Sequence, residues 1–187
     1  GSQMDYTVTG LTENTRYYFS LRAIDGGGNI SPLSNATVAR TVDVTPPHAI
    51  ADLQAMFPTV QSIMLTWTCP ADVAGTRTRS ISDSEVLESG LPDEDTLIAA
   101  YDIRYLEMSF DGKIMDEPAW EAAEKVLVPP QPLTPGTIEE FVVRNLNPAK
   151  TYFFAIKAID QSGNVSAISN IALEATLPAE FASSIQR

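Results

Sequence analysis

Six carboxylates crowd one short stretch of this 187-residue chain: Asp83, Glu85, Glu88, Asp93, Glu94 and Asp95. Oxygen ligands at that density suit a hard cation, and calcium is the small ligand they fit best. The spacing is not that of an EF-hand loop, because Leu87 and Glu88 stand where an oxygen ligand and the turn glycine are required. The plainer reading is a solvated acidic loop. Asp83, Glu85, Asp93, Glu94 and Asp95 are therefore the calcium candidates, and no other cofactor is expected. Asp25 and Asp160 each close an apolar run just before a glycine-bearing turn. They too could be ligands, but a carboxylate in that position ordinarily accepts bonds from the N–H groups of its own turn.

Other chemistry is scarce. His48 is the single histidine and sits beside Pro46-Pro47. Without a second histidine or a partnered cysteine there is neither a Ser-His-Asp nor a Cys-His arrangement, and no zinc site of usual composition. Cys69, the single cysteine, allows no internal disulfide. Next to Pro70 at the end of an apolar run, it reads as a partly buried, inert thiol. Trp120, Phe153 and Tyr18 could form an aromatic platform for carbohydrate, although a tryptophan on a sheet edge more often covers the side of a core. Asn29, Asn35 and Asn164 lie in N-x-Ser/Thr sequons, which accept glycans only in a secretory host that makes them. The net charge of −12 and pI near 4.3 argue against nucleic acid and against an anionic membrane surface. No apolar run is long enough to span a bilayer.

The elements that carry these residues come from a repeat. Residues 6–41 align without a gap on 141–176, at a constant offset of 135. Tyr17 meets Tyr152, Ala23-Ile24-Asp25 meets Ala158-Ile159-Asp160, Gly28-Asn29 meets Gly163-Asn164, and Ser34-Asn35 meets Ser169-Asn170. A gapless match of that length is homology. Tyr152, Phe154, Ile156 and Ala158 alternate with Phe153, Ala155 and Lys157, the period of a half-buried strand. Residues 161–164 make a turn, and 166–176 the next strand. Earlier strands exist only in the second copy: 49–56, 62–68 with Ile63, Leu65 and Trp67 on one face, and 99–106 with Tyr101, Ile103 and Tyr105 on one face. Residues 120–128 follow as a weaker strand, with a helical turn at 121–124 as the alternative, and then 139–143. Short strands, turns and no helical period mean an all-β sandwich.

These residues resemble the fibronectin type III family. The resemblance rests on Trp67 in the second strand, Tyr101-Asp-Ile-Arg-Tyr105 in the third, and Leu146-Asn-Pro148 followed by Tyr152, which looks like the family's tyrosine corner. The last two strands also look like the family's. The flavour is similar to repeats of bacterial surface and secreted proteins, and to the C-terminal domain of the calcium-activated chloride channel regulators. The implied fold is an immunoglobulin-like β-sandwich, one complete domain preceded by the C-terminal half of another. Residues 1–4 read as a cloning remnant, 5–42 as the last three strands of a repeat, and 43–48 as a Pro-rich linker. Residues 49–177 read as the complete domain and 178–187 as a tail. The domain departs from the family by a long insertion at 71–98, expected to leave the sandwich at one end and to add little stability.

The reading is a non-catalytic, extracellular or cell-surface module: a spacer or protein-interaction unit of a larger protein. Its partner is another protein, or a second copy engaged through residues 5–42, whose strands lack most of their sheet. Adhesion or carbohydrate attachment is the alternative, as is an accessory role in a secreted hydrolase.

Overall fold

The structure, a computed structural model, describes residues 3–72, 97–109 and 116–180. The expected insertion falls almost wholly outside these residues, and with it Asp83, Glu85, Asp93, Glu94 and Asp95. The described chain divides into two compact units, up to Thr45 and from Pro46 onward.

The second unit is a two-layer sandwich. One sheet joins β3 (Gln54–Met56), β4 (Ser62–Thr68) and β7 (Ile138–Arg144) in the order β3-β4-β7. The other joins β5 (Ile98–Glu107), β6 (Glu124–Lys125), β8 (Thr151–Asp160) and β9 (Ala172–Ala175) in the order β6-β5-β8-β9. Every pairing is antiparallel. The alternation written into β4 is realised: Ile63, Leu65 and Trp67 are buried, with partly exposed neighbours between them. They meet Tyr101, Ile103, Tyr152, Phe154 and Ile156 of the opposite sheet in one core, with half-buried Phe141 against its side. The rings of Trp67 and Tyr101 pack edge to face at 5.3 Å. Each large side chain so buried stabilises the fold by roughly 1.5–3 kcal/mol. The corner before β8 is tied as the family pattern implies, the Asn147 N–H donating to Tyr152 Oη at 2.9 Å.

Three expectations for this unit need correcting; in one, the strand expected over 166–176 pairs with β8 only at Ala172–Ala175. The strand expected across 120–128 pairs only at the two-residue β6, and a short helix, α1 (Glu117–Trp120), precedes it. Asp116 caps α1 by accepting from the Ala119 N–H at 2.8 Å, and Pro118 suits the first turn, so the helix starts earlier than the Glu-Ala-Ala-Glu run suggested. The strand expected over 49–56 pairs only at Gln54–Met56. Before that, Leu53 is held by side-chain bonds instead, its N–H donating to Asn170 Oδ1 and its carbonyl accepting from Asn170 Nδ2, each at 2.9 Å.

The first unit is a hairpin of β1 (Arg16–Phe19) and β2 (Thr37–Arg40), with one further bridge between Ile24 and Ile30. Its local bonds duplicate those of the second unit. The Thr12 N–H donates to Tyr17 Oη at 2.8 Å, the counterpart of the Tyr152 corner. The Leu21 N–H donates to Ser34 Oγ at 2.9 Å, as the Ile156 N–H does to Ser169 Oγ at 3.0 Å. The Ala23 and Ala158 N–H groups donate to Ser31 and Ser166 Oγ, both at 2.9 Å. Gly28 and Gly163 carry positive φ at the same turn. Of the three strands expected in 5–42, the first, at Tyr6–Val8, does not form among the described residues, and Tyr6 is 90% exposed.

Candidate functional site

Asp25 and Asp160 are turn residues, as their position implied. Asp160 Oδ1 accepts from the N–H groups of Ser162 and Asn164, and Oδ2 from Asn164 Nδ2, each at 2.8 Å. Asp25 repeats the set with Gly27 and Asn29. The bond to the Asn29 side chain, with the turn's backbone bonds, holds the Asp25 carboxyl below its ordinary range. Asn29 and Asn164, read above as sequon asparagines, thus spend their side-chain amides on these turns. One arrangement was not legible in sequence. The buried carboxylates of Asp72 and Asp160 bring oxygens within 4.8 Å of each other, close enough to share a divalent cation such as calcium.

The aromatic platform divides. Trp120 is 2% exposed and lies over Phe153 and Ala155 in a second small core on the outer face of β8. It cannot stack on a sugar. The Arg104 guanidinium stands over its ring at 4.8 Å and the Lys157 ammonium at 4.9 Å. Arg104 also donates to the Trp120 carbonyl at 2.7 Å and takes Asp102 as a fork, at 3.1 and 3.2 Å. Lys125 reaches Asp102 at 3.1 Å, and Lys157 reaches Glu117 at 2.8 Å. This lattice fastens α1 to the sheet.

Burial raises the Asp102 carboxyl, but the bonds and charges of Arg104 and Lys125 together outweigh it and leave it below its ordinary range. A carboxyl held low in the folded state takes up protons more readily once unfolded. Its contribution is therefore complete above about pH 4 and is lost as pH falls through the lower folded value. Asp102→Asn is expected to cost about 1 kcal/mol at neutral pH and to make the acid fall of the melting temperature shallower. An acid limb identical to that of the parent chain would contradict this assignment.

At one end of the main core, buried Glu139 accepts from Tyr101 Oη at 2.7 Å and from the Leu133 N–H at 2.9 Å. Cys69 lies beside this pair, its thiol donating to the Leu133 carbonyl at 3.2 Å. Burial pushes the phenol of Tyr101 and the thiol of Cys69 up. A high thiol pKa and a 1% exposure remove the nucleophile. Cys69 is expected to resist a thiol reagent in the native state and to react fully in denaturant. Rapid native labelling would contradict the buried position. His48 is exposed, and among the described residues nothing assembles a nucleophile with a base.

Tyr18 is the platform residue left open, at 69% exposure. It is the repeat counterpart of Phe153 and shares an outer face with Arg16, Val38 and Arg40. The register sets Arg16 directly opposite Arg40, and Tyr18 opposite Val38. These residues, with Ala39, line a shallow groove of about 280 Å³. The sequence signal was the i, i+2 spacing of Arg16 with Tyr18 and of Val38 with Arg40, but the cross-strand pairing is set only by the fold.

No family model matches the chain. It is similar to Chitinase A1 of Niallia circulans, 27% identical over 169 residues that make up 88% of this chain and 18% of that enzyme. It is also similar to Exoglucanase B of Cellulomonas fimi, 29% identical over 171 residues, 89% of this chain and 12% of that enzyme. A crystal structure of chicken CNTN1 FN1-FN3 domains superposes with a TM-score of 0.46 and 17% identity, over 89% of this chain and 42% of that one. The chain thus spans less than a fifth of the length of these curated relatives. With its three- and four-stranded antiparallel sheets, its tied tyrosine corner and its packed Trp67, the second unit is an immunoglobulin-like sandwich similar to fibronectin type III domains, and the chain aligns with a minor part of these larger enzymes.

Proposed function

We propose that this chain is an extracellular accessory module of a secreted polysaccharide hydrolase, acting as a spacer between that enzyme's other parts and as a contact with its polymer. The observation that carries this reading is the shape of the alignments. Identity of 27–29% runs through about nine-tenths of the chain, across both units, yet accounts for only 12–18% of the enzymes matched. Similarity that includes the half repeat favours an array of such units. The charge agrees with a spacer, since a strongly acidic chain resists self-adhesion.

The test is made on the natural full-length protein, with and without residues 5–177. The expected result is hydrolysis of a β-linked polysaccharide by both forms. Turnover of soluble oligosaccharides should be equal, and turnover of insoluble polymer lower in the deleted form. A full-length protein without glycosidase activity would overturn the reading.

A second reading, protein interaction or self-association through residues 5–42, is favoured by one observation. Tyr6, Leu21, Ile24, Ile30 and Leu33 are all exposed, whereas an apolar face of this kind is normally covered. Sedimentation of the 187-residue chain over a wide concentration range checks it. A dimer supports self-association, and a monomer throughout removes it.

A further inference from the structure

Backbone strain in the second unit gathers at one end of the sandwich. Among the described residues, its non-glycine positions of positive φ are Phe57 at 49°, Asn145 at 62° and Ala149 at 54°. The last two belong to the repeated architecture, because the first unit has them at Gly10 and Asn14, with φ of 74° and 48°. Phe57 lies outside the repeat and has no such explanation. A positive φ makes a bulky residue an outlier, and a residue before proline, here Pro58, is pushed toward extended backbone. Glycine or asparagine would take that turn position with less strain. Burial does not offset the strain, since Phe57 is 70% exposed. Strain kept at an exposed aromatic residue points to a use for the ring.

The turn that carries Phe57 is firmly held. The Thr59 N–H donates to the Ser62 carbonyl at 2.8 Å, and the two hydroxyls lie 2.7 Å apart. The Thr59 carbonyl accepts from the Leu177 N–H at 2.8 Å, and the Gln61 carbonyl from the Leu146 N–H at 3.1 Å. These bonds tie the turn between β3 and β4 to the loop between β7 and β8, which bears Asn145 and Asn147. Gln61, Asn145 and Asn147 are all exposed. Of their three side chains only that of Asn147 makes a bond among the described residues, Nδ2 donating to Glu107 Oε2 at 3.2 Å. Glu107 is in turn paired with Lys150 at 2.7 Å. In a chain of net charge −12, this end therefore offers an apolar ring together with uncharged donors and acceptors. Such a set suits a neutral sugar: the ring covers the apolar face of a pyranose, and amides exchange hydrogen bonds with its hydroxyls. An open ring on a turn meets an extended polymer, whereas a small molecule needs enclosure.

We propose that Phe57 is the residue through which this module touches its polymer. Its ring stacks on a sugar of a neutral β-linked polysaccharide, and Gln61, Asn145 and Asn147 bond the neighbouring hydroxyls. This rests on the accessory reading and assigns the contact surface for it.

The test is adsorption of the 187-residue chain to microcrystalline cellulose and, separately, to chitin powder, over a range of protein concentrations. The expected result is saturable adsorption to at least one of them, little changed by added salt, because no charge takes part. Phe57→Gly should weaken it about tenfold, the loss of one stacked ring. The same variant should melt at an equal or higher temperature, since glycine accepts the positive φ. Phe57→Tyr should retain adsorption. Tyr18→Leu removes another open aromatic ring and should leave adsorption unchanged. Absence of adsorption to both solids overturns the proposal. So does adsorption of Phe57→Gly equal to that of the parent chain. A clearly lower melting temperature for Phe57→Gly overturns it as well, because the ring would then be packed against protein. The hydrolase reading is decided separately, by turnover of the full-length protein.

Discussion

Replacing Trp67 by alanine is expected to lower the unfolding free energy of the second unit by about 3–5 kcal/mol. The indole is 1% exposed, in the middle of the three-stranded sheet, with Tyr101 edge-on against it. Neighbours fixed in two sheets cannot collapse into the space it leaves, so both lost burial and a residual cavity contribute. Trp67→Phe should cost much less. The buried indole N–H finds no acceptor among the described residues, and a phenyl ring removes that unsatisfied donor while keeping most of the packing. Urea unfolding followed by circular dichroism checks both. A loss under about 1 kcal/mol for Trp67→Ala would mean that the side chain lies outside the core.

Much of this was legible in the residues themselves. The alternation of Ile63, Leu65 and Trp67 fixes which face of β4 is buried, because a strand has a period of two and no freedom to misplace it. The Leu-Asn-Pro corner with Tyr152, and the Asp160–Asn164 turn, are local devices whose partners lie within five residues. What stayed hidden depends on distant partners. Trp120 reads as an edge aromatic until Arg104 and Lys157, brought alongside by β5 and β8, are seen to seal it against Phe153. The contrast with Tyr18, the same repeat position left open, is likewise invisible until the covering helix is placed. Asp72 and Asp160 lie 88 positions apart and come together only through the fold. The acidic run from Asp83 to Asp95 drew attention by density alone, and it lies outside the described residues.

The duplicated bonds of the two units separate local from tertiary stabilisation. Both copies tie a tyrosine corner, and both satisfy two strand N–H groups with serine hydroxyls. Among the described residues only the second has the opposing sheet. Ile156 and Ala158 are fully buried, whereas Leu21, the counterpart of Ile156, is 77% exposed. A hydrogen bond open to water exchanges partners readily, and a two-stranded hairpin is marginal by itself. The first unit should therefore open locally at little cost, while the second opens only by global unfolding.

Native-state amide hydrogen exchange on the 187-residue chain, at concentrations where it is monomeric, tests this division most directly. The informative pairs are Leu21 with Ile156 and Ala23 with Ala158, whose N–H groups make the same bond to the same kind of acceptor at nearly the same length. The account predicts that Ile156 and Ala158 exchange slower than their counterparts by roughly a thousandfold or more, as a domain of ordinary stability requires. It also predicts that removing residues 1–43 leaves the protection of Ile156 and Ala158 unchanged. Equal protection at Leu21 and Ile156 in the monomer would contradict it, because the half repeat would then be a stable fold without its second sheet.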